Sequence, residues 1–122
     1  MSRAIVLIGV SRTAGTAFPT LEGVEDAIAK MEKWAKGQGI PHIVKLCDVG
    51  EGAVDQVTVA EISNEIDKLV STVPGLRQLI IYFSGHGIVN ANNEYLLLSL
   101  APRNVNEAIN VAASQAIAQT WK

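Results

Sequence analysis

A single cysteine, Cys47, excludes an internal disulfide, and with only two histidines no Cys/His cluster has the spacing of a zinc site. Acidic and basic residues number 12 and 10 over 122 positions, mixed along the chain, so the formal net charge of −2 leaves no basic stripe for nucleic-acid phosphates. No apolar run approaches the length of a membrane span. The start, Met1-Ser2-Arg3 followed by Ala4 to Val10, has the look of a signal peptide. Its apolar run is short, however, and Gly9, Ser11 and Arg12 lead straight into a turn-rich segment, which favours a buried strand. The expectation is a soluble, cytoplasmic protein with no cofactor and neither nucleic acid nor membrane as partner. The remaining composition, 48% hydrophobic and 18% charged, is globular and sufficient for one domain over residues 1–122.

The apolar pattern alternates between two periods. Ala4 to Val10 is a continuous aliphatic run, the mark of a parallel strand buried on both faces. A small, polar loop from Ser11 to Thr20 follows, and a helix fits Leu21 to Lys36. Its Leu21, Val24, Ile28, Met31 and Ala35 share one face, acids sit at its start, and Gly37 and Gly39 stop it. His42 to Leu46 reads as a second strand. Thr58 and Glu61 form a capping box for a second helix that turns Ile62, Ile66, Leu69 and Val70 inward. After a turn at Pro74 and Gly75, Gln78 to Ser84 is the third and most apolar strand. A polar loop over Asn90 to Asn93 leads to a short strand, Glu94 to Ser99. A last helix is expected from Asn104 and Glu107, burying Ile109, Ala113, Ala116 and Ile117. This order implies a mainly parallel sheet with helices on both faces, a three-layer α/β/α fold.

In such sheets chemistry gathers beyond the carboxyl ends of the strands, where Ser11–Thr20, Cys47–Val57 and Ser84–Asn93 lie. The third segment stands out. Tyr82-Phe83-Ser84-Gly85-His86-Gly87 puts a histidine directly after a buried strand, between two glycines. Those glycines permit a sharp turn and close approach of a substrate to the main chain, and leave the Gly87 amide free to donate to a developing oxyanion. The alternative is an ordinary turn histidine.

The run from Leu79 to Gly87, followed by Glu94-Tyr-Leu-Leu-Leu-Ser99, resembles the catalytic-histidine segment of the caspase and metacaspase group, above all its bacterial-type members. Ala4 to Val10 resembles that family's first strand. Leu21-Glu-Gly-Val-Glu-Asp-Ala27 resembles its first helix, where a Leu-x-Gly-x-x-Asp-Ala pattern recurs, and Thr58 to Leu69 resembles the helix before the histidine strand. The likeness runs from Arg3 to about Gln119. It implies a caspase-like α/β domain, present as its N-terminal, large-subunit part, whose strand order places the first strand between the second and third. It also implies a cysteine–histidine dyad of a cysteine endopeptidase, with His86 exchanging the proton and Gly87 lending its amide. The family's nucleophile lies in an Asp-Ala-Cys-x-Ser-Gly type motif at the end of the next strand, which residues 1–122 do not contain. The expectation is therefore a chain inactive alone, acting on a protein or peptide substrate together with the remaining C-terminal part of the domain, or self-associating through an exposed sheet edge.

The other candidates have plainer alternatives. Cys47 ends the second strand on the correct rim. Two strand spacings of about 4.8 Å, roughly 10 Å in all, separate it from the histidine strand, so it reads as a small buried apolar residue. His42 reads as structural. By the resemblance, Arg12 lies in a loop that borders the substrate cleft, and Asp26 shapes a pocket for basic side chains. A solvated arginine and a favourable charge near a helix N-terminus are the alternatives. Gly9 to Gly15 matches no phosphate-loop motif. Met31, Trp34 and Trp121 read as packing residues. The rivals to a peptidase are a non-catalytic caspase-like regulator or scaffold and a phosphate-binding α/β domain that lacks its motif.

Overall fold

The computed structural model describes residues 2–90, 92–101 and 105–111. Its centre is a three-stranded parallel sheet of β1 (Ser2–Gly9), β2 (His42–Cys47) and β3 (Leu76–Ser84), in the order β2-β1-β3. The order matches the expectation. As the central strand, β1 is covered on both faces, so Ala4, Ile5, Val6, Leu7 and Ile8 are at most 1% exposed. Because side chains alternate along a strand, its two faces feed two cores.

The helices α1 (Val24–Gly37) and α2 (Val59–Thr72) cover opposite faces. Ile5 and Leu7 pack with Val24, Ile28 and Ala35 of α1, with Leu21 and Met31 partly buried beside them. Ala4, Val6 and Ile8 pack with Ile62, Ile66 and Leu69 of α2. The α2 stripe continues to Val73, not to Val70, which is 37% exposed. Val70 lies one residue past Leu69, a rotation of about 100° that takes it off the face, whereas Val73 is one further turn along it. Trp34, expected to pack, is likewise 44% exposed on α1; Trp121 lies outside the described residues.

Half of the capping box forms. Thr58 Oγ1 accepts from the Glu61 amide at 3.3 Å, and the Val59 amide donates to a distant carboxylate, Glu107 Oε2, at 2.9 Å. That carboxylate sits in the turn that leads into a second, antiparallel sheet. β4 (Gly87–Asn90) and β5 (Asn93–Leu97) form a hairpin, and β6 (Ala108–Asn110) adds to β5. The stretch expected as a polar loop is therefore half strand, turned by Asn92 at φ 66°, the left-handed region that asparagine tolerates. The expected start of the last helix is also corrected. Val105–Glu107 is a short 3-10 turn and Ile109 lies in β6, because pairing with β5 and the Glu107 cap on α2 outweigh local helix propensity. Asn104, Ala113, Ala116 and Ile117 lie outside the described residues.

The two edges of the parallel sheet differ. β2 carries Lys45, paired with Glu32 of α1 at 3.6 Å. β3 has no charge from Leu79 to Ser84 and, among the described residues, a strand neighbour on one side only. None of its residues is fully buried, contrary to the expectation of a buried strand, and Ile81 is 46% exposed. No helix among the described residues is long and apolar enough to cross a membrane.

Candidate functional site

The register brings the three strand ends level: Gly9 pairs with Cys47 on one side and with Ser84 on the other. The chain beyond each end forms the rim. From β1 it leaves as the Ser11–Thr20 loop, closed at its base by the Leu21 amide donating to the Ser11 carbonyl at 2.9 Å. The Ala14 amide ties the same loop to the Ala101 carbonyl at 2.8 Å. From β3 it leaves through Gly85 to His86 and into β4.

His86 meets the first loop. Its Nε2 lies 2.7 Å from the Pro19 carbonyl oxygen, and its ring stands against Phe18 with centroids 5.1 Å apart at a 43° tilt. A carbonyl oxygen only accepts, so Nε2 carries the proton and Nδ1 of the neutral ring keeps its lone pair. The loop thus fixes both the tautomer and the direction of the ring. His86 is half-buried.

The two flanking glycines do different work. Neither has a positive φ, so the sharp turn is not a left-handed one. A Cβ at Gly85 would lie 2.7 Å from Phe83 Cζ and 3.0 Å from the Val10 carbonyl oxygen, so glycine permits the chain to pass close over the end of β1. Gly87 is exposed. The Leu97 amide donates to the His86 carbonyl at 2.9 Å, which makes Gly87 and Leu96 a pair that is not hydrogen-bonded across the hairpin. The Gly87 amide therefore turns away from β5, next to the histidine that precedes it.

Three other candidates fall elsewhere. Cys47 is 4% exposed and packs in the α1-side core with Val24 and Ile28, across Gly9 from the histidine strand. Burial pushes its thiol pKa up, more than the Val49 backbone hydrogen bond lowers it, and the charge of Asp48 raises it further. Asp26 is exposed and paired with Lys30 one turn along α1 at 2.9 Å; its hydrogen bond and charge raise the Lys30 pKa. Arg12 has its side chain at the surface of the rim loop, while its amide is engaged below. Only His86 and Gly87 are adjacent.

Sequence reasoning missed Asp48, Phe18 and Pro19. Asp48 is a carboxylate only 6% exposed, accepting from the Ser11 amide at 2.9 and 3.0 Å and from the Arg12 amide at 3.1 Å. The signal for it was an aspartate set directly after a strand on the rim. Nothing in the sequence marked Pro19, whose contribution is a main-chain oxygen. No group of three or more His, Cys, Asp or Glu among the described residues is placed to hold a metal ion. No protein-family model matches the chain, and no curated protein matches it.

Proposed function

We propose that the chain supplies the acid–base histidine and part of the oxyanion hole of a caspase-like cysteine endopeptidase that works in the cytoplasm. The observation that carries this reading is the His86–Pro19 hydrogen bond of 2.7 Å, which orients the ring and leaves Nδ1 as the base. In the reaction, Nδ1 takes the proton of an attacking thiol, whose sulfur bonds to the scissile carbonyl carbon. The carbonyl oxygen becomes an oxyanion that accepts from the Gly87 amide. The imidazolium then returns its proton to the leaving amine as the C–N bond breaks. Water, deprotonated by the same ring, attacks the thioester carbon, and the sulfur leaves with the bonding pair and takes that proton back. Pro19 accepts from Nε2 throughout, so the ring holds its direction while Nδ1 gains and loses the proton.

Cys47, the one cysteine of the sequence, does not suit the nucleophile's role: it is buried, its pKa is raised and it faces α1. In this reading the thiol arrives on a strand from outside residues 1–122, laid along the edge of β3 that has no strand neighbour among the described residues. The burial of Cys47 also favours the second reading, a caspase-like regulator or scaffold without catalysis of its own.

A peptidyl chloromethyl ketone separates the two, applied to the protein that joins this chain to its nucleophile strand and followed by peptide mass mapping. Alkylation of a cysteine other than Cys47, lost in His86→Ala, is the expected result. No labelled cysteine, or label on Cys47 alone, overturns the peptidase reading.

A further inference from the structure

We propose that Asp48 is a positioning residue for His86, acting through the Ser11–Thr20 loop; the inference rests on the histidine chemistry proposed above. Successive amides of an extended strand point to opposite sides. Those of Ser11 and Arg12 instead converge on one carboxylate, at 2.9 to 3.1 Å. The chain therefore leaves β-geometry at the place where Asp48 stands, and the direction in which the loop departs is set by that carboxylate.

The grip is mutual, since the Asp48 amide donates to the Gly9 carbonyl at 3.2 Å. Ser11 is the base of the loop, with both backbone groups engaged: its amide on Asp48 and its carbonyl on the Leu21 amide. Between Ser11 and Leu21 lie Phe18 and Pro19, the two residues that hold the imidazole. The carboxylate, on the end of β2, thus bears on a ring at the end of β3 without touching it. A buried carboxylate is costly unless its oxygens are hydrogen-bonded, and here they are spent on the two amides that launch this loop. Ala101 ties the loop at Ala14, short of the histidine contacts, and leaves the direction at the base to Asp48.

The test is long-range ¹H–¹⁵N NMR of the His86 ring in the full chain, which reads the tautomer without needing catalysis. Wild type should show the Nε2–H form. Asp48→Ala should lower the ratio of Nε2–H to Nδ1–H roughly 2- to 10-fold, the range set by losing one ordinary hydrogen bond. Asp48→Asn keeps one acceptor oxygen and should lower it less. Leu69→Ala, which opens a cavity on the α2 side, serves as the stability control and should leave the ratio unchanged. A wild-type ratio in a folded Asp48→Ala overturns the proposal, and if that variant does not fold, a wild-type ratio in Asp48→Asn does so. A change in Leu69→Ala as large as in the Asp48 variants also overturns it, by reducing the effect to general loosening. Because the readout is spectroscopic, an Asp48-dependent tautomer stands even if the peptide ketone labels nothing, and an unaffected tautomer leaves the peptidase reading intact.

Discussion

Gly9→Ala probes the closest approach in the fold. The new methyl would stand 2.7 Å from Cys47 Sγ, 2.9 Å from Ile28 Cγ1 and 3.0 Å from Val24 Cγ1. All three neighbours are buried, on β2 and α1, and have no solvent to move into. Forcing a methylene-sized group into a packed core costs about 1–3 kcal/mol. Alanine restricts the unfolded chain and offsets about 0.4–1 kcal/mol of that. With the middle of each range the net loss is about 1.3 kcal/mol, a drop in Tm of roughly 4–7 °C for a domain of this size. Cys47→Ala removes the nearest of the three atoms, so the double variant should be more stable than the sum of the single losses, by at least about 0.5 kcal/mol. Thermal melts followed by circular dichroism on the four proteins give the cycle. A wild-type Tm for Gly9→Ala, or strict additivity with Cys47→Ala, would refute the packing of α1 and Cys47 over Gly9.

Gly85→Ala should move His86, because its methyl meets the immobile Val10 carbonyl as well as Phe83; an unchanged His86 ring spectrum would show that the close pass over β1 is wrong. The Cys47 thiol should react with iodoacetamide much more slowly in the native chain than in denaturant. Since its folded pKa is raised, the unfolded chain loses that proton first. The native state should therefore lose stability as pH climbs above the ordinary thiol value of about 8.5, a loss absent from Cys47→Ala; superimposable pH profiles of the two would contradict it. The edge of β3, uncharged from Leu79 to Ser84 and with a strand neighbour on one side only among the described residues, should recruit a second strand, so light scattering should show concentration-dependent association that Ile81→Lys weakens, and a clean monomer at high concentration would count against it.

The parts of the fold written in continuous periodicity were legible in the sequence. The aliphatic run Ala4 to Ile8 favoured a strand covered on both faces over a signal peptide, and Val24, Ile28 and Ala35 mark the α1 face at helical spacing. Legibility fails where tertiary pairing decides. Ala108 to Asn110 has nothing local that favours a strand over a helix; it is one because β5 is there to pair with and because Glu107 caps α2 from 48 residues away. The Gly87–Leu97 hairpin was hidden by its asparagine-rich turn, read as a loop although Asn92 adopts the positive φ that a tight hairpin requires. At the rim, the glycine-flanked run marked His86 and Gly87 in the sequence, and the structure sets His86 against Phe18 and Pro19. Pro19 was not legible, since any residue can offer a carbonyl, and Asp48 was not, since a buried aspartate is recognisable only once the two amides that solvate it are seen.

The most direct measurement is peptide cleavage by wild-type and His86→Ala forms of a protein that joins this chain to the nucleophile strand proposed above, with matched melting curves. General acid–base help of this kind is worth roughly 10²–10⁴-fold, and kcat/KM should fall by that factor or more. The half-buried imidazole leaves little cavity on removal, and its bond to Pro19 is worth about 0.5–1.5 kcal/mol, so the melting point should move by only a few degrees. Cleavage near the wild-type rate in a folded His86→Ala would contradict the proton-transfer role assigned to this histidine.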